Sequence, residues 1–289
     1  MAAKLRYPTG VRTLLIDETA RRRRTEARFV GALERAEFDE VILPIIDYAE
    51  PYAPFIDRDA ARQSYRFVDR EGDIVAIRSD FTPMVARALA PSMTADDLPL
   101  RVFYRGDVIR CEASRLGMNR ELFQIGAEII GDDSVEADVE MLQLAADLVR
   151  QSGVKATIVY NDVSIADSFS PAVRAALLSK RMSDDVPREL RDVVVRLIGG
   201  DATLADVAPF APVAATRLDA IARALPSDHF FLHLDDIEAA GYYTGIRFRV
   251  YANGARRKVA QGGRYDTLYE RFGTPAAAIG FTFTIDDLD

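Results

Sequence analysis

Tryptophan is absent from the 289 residues, cysteine occurs once, at Cys111, and histidine twice, at His229 and His233. A lone thiol excludes an internal disulfide, and so few soft ligands give no metal-ligand spacing, so neither a disulfide scaffold nor a metal site is expected. Cys111 falls in a strand pattern, where a buried, inert thiol is the plain reading. No apolar run is long enough to cross a bilayer, and the opening MAAKLRYPTG has no charged-then-apolar leader pattern, which predicts a soluble, cytoplasmic protein. Positive charge is also in deficit. With 37 Lys and Arg against 45 Asp and Glu, the net charge is −8, a poor basis for nucleic acid as principal partner. The run Arg21–Arg24 is a local exception. It lies in a pattern with Phe29, Leu33 and Ala36 at helical spacing, which predicts a solvated helix face meeting acidic neighbours.

What is present begins with residues 102–131, VFYRGDVIRCEASRLGMNRELFQIGAEIIG. Two apolar runs flank a polar loop with Gly117 at its tip, the pattern of two antiparallel strands. Arg110, Glu112, Gln124 and Glu128 recur at even spacing, so a single face of the ribbon would carry all four. Charges facing into a sheet cost several kcal/mol unless each finds a partner. They suit a small zwitterion, because Arg110 can fork onto a carboxylate and Glu128 can accept from a cationic or imidazole N–H. The alternative is a simple Arg110–Glu112 pair across a solvated edge.

Around that ribbon the chain reads as an α+β domain. A helix is expected from Asp17 to about Glu37, then a β-branched run broken by Pro44. A hairpin around Arg70-Glu71-Gly72 sets Tyr65 and Phe67 against Ile74 and Ala76, and a short helix starts at Thr82. A helix over 134–151 ended by Gly153 precedes a strand at 156–160. Residues 164–225, rich in Ala, Asp and Arg, read as two or three short helices forming an inserted helical subdomain. Strand pattern resumes at 230–234 and 242–251, with a turn at Asn253-Gly254. The tail runs from a strand through Gly262-Gly263 into a helix, then a strand entering a helix start. The whole of 1–289 is expected to form one domain carrying that insertion.

Several segments, in order, resemble class II aminoacyl-tRNA synthetases, and specifically the catalytic core of histidyl-tRNA synthetase. They are FDEVILP (38–44), IRSDFTPMVAR (77–87), FYRGDVIRCE with FQIGAEIIG, AAGYYTG (239–245), GGRYDTL (262–268) and AIGFTFTIDDL (278–288). The resemblance implies an antiparallel sheet flanked by helices, with dimerisation through 38–44. It also implies a histidine pocket: Asp80, Thr82 and Gln124 toward the amino group, Glu128 and Tyr243 toward the imidazole, Arg110 toward the carboxylate. Tyr242 is counted with the pocket, although in a strand it and Tyr243 would point oppositely, and core packing of Tyr242 is the competing reading.

The departures from the synthetase pattern fall on its ATP contacts. Glu238 and Asp287 stand where the resemblance implies arginines, Ala113 and Met118 where two more are usual, and the sequence ends at Asp289 with no segment resembling an anticodon-reading domain. Acids in place of cations reverse the field a triphosphate needs. A retained amino-acid pocket with a lost ATP site is similar to the regulatory subunits of ATP phosphoribosyltransferase. Asp80-Phe81-Thr82-Pro83 and TGVRTLLIDETARRRR also resemble that group. The implication is a non-catalytic, cofactor-free subunit that joins short-form catalytic subunits in a hetero-oligomer, activates them and transmits inhibition by histidine. An ATP-dependent ligase with altered nucleotide ligands, for example a histidyl-adenylating one, stays open as the alternative, as does a free-standing amino-acid sensor.

Overall fold

The structure is a computed structural model that describes residues 7–53, 64–111, 119–239, 241–253 and 257–288, the Asp287 side chain excepted. Its frame is an eight-stranded sheet in the order β1-β5-β6-β11-β10-β9-β7-β8. The strands are β1 (Asp39–Glu40), β5 (Leu100–Ile109), β6 (Glu121–Ile130), β7 (Ala156–Asp162), β8 (Phe230–Leu232), β9 (Ile246–Ala252), β10 (Lys258–Arg264) and β11 (Ala278–Thr284). All neighbours pair antiparallel except the outermost, β1 with β5 and β7 with β8, which are parallel. The expected α+β architecture, an antiparallel sheet flanked by helices, is what forms.

Period-two patterning divides β6 between two faces. Phe123, Ile125, Ala127 and Ile129 enter one apolar core with α1 (Ile16–Arg35) and α3 (Val135–Gln151). Gln124, Gly126, Glu128 and Ile130 face the other way. On that side Val102, Tyr104 and Val108 of β5 pack in a second core with Phe81, Met84 and Val85 around α2 (Thr82–Leu89). Pairing of Tyr104 with Gly126 and of Val102 with Glu128 fixes the register that holds these side chains together.

Local chemistry sets the helix ends. Ser134 caps α3 by accepting from the Ala137 N–H at 3.1 Å, and Gly153 follows its end at φ +80°, a conformation that costs glycine little. In α1, Phe29, Ala32 and Leu33 are buried, whereas Arg22 reaches Asp107 at 3.0 Å and Asp286 at 3.8 Å. The arginine run does meet acidic neighbours. Between β7 and β8 lie α4 (Ser164–Asp167), α5 (Pro171–Ser179), α6 (Arg191–Gly199), α7 (Leu204–Val207) and α8 (Pro212–Ala224). Their apolar residues, among them Ile165, Leu177, Leu197 and Leu218, join the same core as α3.

A second, three-stranded sheet, ordered β2-β4-β3, is built from β2 (Ile46–Tyr48), β3 (Arg66–Val68) and β4 (Ile74–Ile77). Its hairpin loop centres on Glu71, so Phe67 pairs with Val75 and shares that face, opposite Ile74 and Ala76. Three further expectations change. The strand expected from Tyr242 starts only at Ile246. The helix expected after Gly263 is a single 3-10 turn, Tyr269–Arg271, cut short by Gly273 and Pro275. Residues 164–225 hold five α-helices and a 3-10 turn, Arg188–Leu190, rather than two or three helices, because four-residue turns such as α4 are too short to show a period. The tip of the Asn253-Gly254 turn lies outside the described residues.

Candidate functional site

Strand β6 carries two polar residues at its buried face. Glu128 is fully enclosed: Thr82 Oγ1 donates to its Oε1 at 2.8 Å, the Tyr104 hydroxyl donates to Oε1 at 3.2 Å, and the Tyr265 hydroxyl donates to Oε2. Room for it exists only because residue 280 on β11 is glycine; a Cβ there would overlap the Glu128 carboxylate. Burial pushes the Glu128 carboxyl up to about 8, aided by the nearby Asp80 charge and opposed by the Thr82 and Tyr104 hydroxyls. The acid is therefore largely protonated at neutral pH. Glu128 sits behind the wall of the cavity next to it, so any influence on a ligand passes through Thr82 and Tyr265, which are bonded to it and line that wall.

In front of that wall is a cavity of about 410 Å³ lined by Asp80, Thr82, Arg110, Gln124, Tyr242 and Tyr243. These are six of the seven residues expected to form a pocket, drawn from four separate stretches of chain. Asp80 precedes α2 and accepts from the Phe81 N–H at 2.9 Å; Phe81 in turn stacks on Tyr104 with centroids 4.5 Å apart. Burial raises the Asp80 pKa, with Arg110 and the hydrogen bonds working against it. Arg110 is steadied by donating through Nε to the Ser79 carbonyl at 3.0 Å, leaving the rest of its fork for another acceptor. Gln124 is 4% exposed, and its side-chain oxygen has no hydrogen-bond partner among the described residues. Leaving such a group unpaired costs about 1–3 kcal/mol. A ligand donor would recover it.

Tyr242 and Tyr243 do not alternate, because they lie in the turn before β9. Both rings line the cavity, tilted with centroids 4.9 Å apart, and the Tyr242 hydroxyl is 3.5 Å from Asp80 Oδ2. Burial pushes the Tyr243 hydroxyl up to about 12 and that of Tyr242 well above its ordinary value, so both stay protonated donors. The same wall of Asp80, Arg110, Tyr242 and Tyr243 backs a second cavity of about 250 Å³ toward the small sheet. The combination of a half-buried arginine fork, a carboxylate and an unpaired amide can seat a zwitterion.

Sequence reasoning missed Tyr104 and Tyr265, which hold Glu128, and Lys258 and Gln261, which line the first cavity with Lys258 Nζ donating to Gln261 Oε1 at 2.6 Å. Tyr104 was within reach of the pattern, since it shares the even face of the ribbon with Arg110. Glu238 is half exposed and turned to two arginines, Arg247 at 3.0 Å and Arg249 at 2.6 Å, so its charge is balanced locally. Glu112, Ala113, Met118 and the Asp287 side chain lie outside the described residues. Among those described, no cluster of His, Cys, Asp and Glu is suited to a metal ion, and no helix is long and apolar enough to cross a membrane.

A mostly antiparallel sheet with a pocket on one face and helices on the other defines a class II synthetase-like core. The sequence profile of histidyl-tRNA synthetase matches residues 10–288, and the chain belongs to that family. Within it, the regulatory subunit of ATP phosphoribosyltransferase from Geobacter metallireducens is 33% identical over 96% of this chain and 71% of its own length. The subunit of that name from Anaeromyxobacter sp. strain K is 33% identical over 98% of this chain and 90% of its own. Among solved structures, an ATP phosphoribosyltransferase regulatory subunit/histidyl-tRNA synthetase from Bacillus halodurans superposes with a TM-score of 0.88 at 22% identity, over 100% of this chain and 83% of the other. A histidine–tRNA ligase subunit from Alicyclobacillus acidocaldarius gives 0.79 at 26% identity, covering 100% and 97%.

Proposed function

We propose that the chain is a regulatory subunit of ATP phosphoribosyltransferase in histidine biosynthesis, activating a separate catalytic subunit in the cytoplasm and sensing histidine without catalysing a reaction itself. The relatives' shared name supports the subunit role. The observation that carries the sensing role is the cavity with an unpaired Gln124 oxygen beside Asp80, Thr82 and Arg110. In this reading the histidine carboxylate sits on Arg110, its ammonium on Asp80, Thr82 and Gln124, and its ring against Tyr242 and Tyr243, with Glu128 acting from behind. Histidine then biases the hetero-oligomer by binding its states unequally, a coupling of about 1–3 kcal/mol.

The same reading has the chain self-associate as a dimer through 38–48 and the small sheet, where Ile42, Tyr48, Phe67 and Val68 are exposed. Calorimetry with histidine, arginine and glutamine tests the sensing: heat with histidine alone is expected, and none with histidine would remove it. Addition to a short-form catalytic subunit should restore transferase activity. Lys258 and Arg257 at the first cavity favour a second reading, an amino-acid-activating ligase, because they add positive charge beside Arg110. Histidine-dependent exchange of ATP with pyrophosphate would establish it in place of the first.

A further inference from the structure

We propose that the outward face of α1 is a docking seam for a helix of the catalytic subunit, one that presents a row of carboxylates. The fold splits the arginine run of this helix. Arg22 pairs with Asp107 and Asp286, and Arg23 with Glu26 at 2.5 Å. Arg21, Arg24, Arg28 and Arg35 are exposed and form no ion pair among the described residues. Their spacing of three, four and seven residues puts them along one side of the helix over roughly 20 Å. Two of them are held in place. Arg28 donates to the Gln151 carbonyl at the end of α3, at 3.0 Å, and the Arg35 guanidinium lies back over Gly31. Like charges three and four residues apart destabilise a helix, and the rest of the chain, at net charge −8, leaves this row uncompensated. Facing carboxylates on a partner would compensate it.

Beside the arginines runs a row of small residues. Ile16, Ala20, Ala27 and Gly31, at steps of four, seven and four, share the side of the helix that faces away from the core, and Ile16 is 87% exposed. The first buried residue of α1 is Thr25, so the turns before it stand clear of the core, tied to the sheet by Arg22. A glycine inside a helix costs about 0.5–1 kcal/mol relative to alanine. Core packing does not call for one at position 31, since the neighbour a Gly31 Cβ would meet is the Arg35 guanidinium at 3.3 Å. Small residues on a solvent face let a second helix approach to the axis separation of packed helices, about 8–10 Å. The arginines along one side of the seam then reach acids on that second helix. A nucleic acid suits this face less well, because exposed Asp17 stands among the arginines, exposed Glu34 stands in the seam, and no aromatic ring is interleaved with them.

This inference rests on the proposed subunit role, and its test separates the two. Biolayer interferometry of the full chain against a short-form catalytic subunit should show binding that weakens as salt rises. Arg21→Glu combined with Arg24→Glu should weaken it at least about tenfold. Ala27→Tyr, which blocks the seam without altering charge, should do the same, whereas Arg21→Lys combined with Arg24→Lys should keep most of the affinity. All three positions are exposed, so Tm and histidine binding should be unchanged in every variant. Wild-type binding that either the charge reversal or Ala27→Tyr leaves untouched overturns the inference while the subunit role stands; a wild type that does not bind overturns both. Binding of bulk tRNA at physiological salt, abolished by the charge reversal while the catalytic subunit still binds, would give the face to nucleic acid instead.

Discussion

Glu128 concentrates the electrostatic cost of the site in one side chain. Its carboxyl is held at about 8 by burial, far above the ordinary range, so the folded state keeps a proton that the unfolded state releases. The sign follows from that difference: Glu128's contribution to stability is fully present below about pH 4.5, shrinks as pH rises, and is gone above about 8. The wild-type Tm should therefore fall between pH 5 and 8.5 as roughly a few kcal/mol of the Glu128 contribution is lost. Glu128→Gln keeps an acceptor for Thr82 and the tyrosines and removes the ionisation, so its Tm should be much flatter across the same range. A substitution that leaves the slope unchanged would place the titration elsewhere. Gln124 makes the complementary prediction for binding. Gln124→Leu removes the unpaired oxygen with little change in volume, and histidine affinity should fall about tenfold, or 1–2 kcal/mol, by calorimetry. These residues were legible because even spacing on one ribbon placed Arg110, Gln124 and Glu128 together. What spacing could not show is depth, since Glu128 lies behind the wall and Gln124 in it.

At the scale of elements, the sheet is tied to its helices by one buried ionic network. Arg264 of β10 is 2% exposed and donates to Asp138 of α3 at 2.9 and 2.7 Å and to the Asp132 carbonyl at 2.9 Å. Arg217 of α8 holds the other oxygen of Asp138 at 2.5 Å and reaches the Ser134 carbonyl at 2.9 Å. Three elements distant in sequence thus converge on one acid. Taking away one partner leaves Asp138 with half its compensation, so Arg264→Ala should cost about 3–5 kcal/mol in a denaturant titration. Arg264→Lys should recover only part of it, since an ammonium cannot fork. No sequence pattern announces this network, because its members share no period. The long elements were different: α1, α3 and the β5–β6 ribbon have enough repeats to declare their faces, whereas the turn holding Tyr242 and Tyr243 looks apolar enough to continue the strand that follows. That error mattered, for it separated two rings that in fact line one cavity.

For the whole molecule the feature that calls for a partner is the small sheet and the segment beside it. Ile42 is 92% exposed, Val68 66% and Ile74 59%, while Tyr48 and Phe67 flank Val75 on one face. Scattered apolar exposure is ordinary, but here it gathers on one short segment and the hairpin beside it, next to the edge strand β1. A second copy is the occupant on the proposed reading. Sedimentation velocity at about 10 µM should then show a dimer, a concentration at which a standard-sized apolar interface is well populated. Ile42→Asp combined with Val68→Asp places two charges in that interface and should give a monomer. Because both positions are exposed, each monomer should keep its fold, its Tm and its histidine affinity. Loss of transferase activation in the same variant would show that the catalytic partner recognises the pair rather than the single chain, whereas full activation by a monomer would mean that the apolar strip serves some other contact.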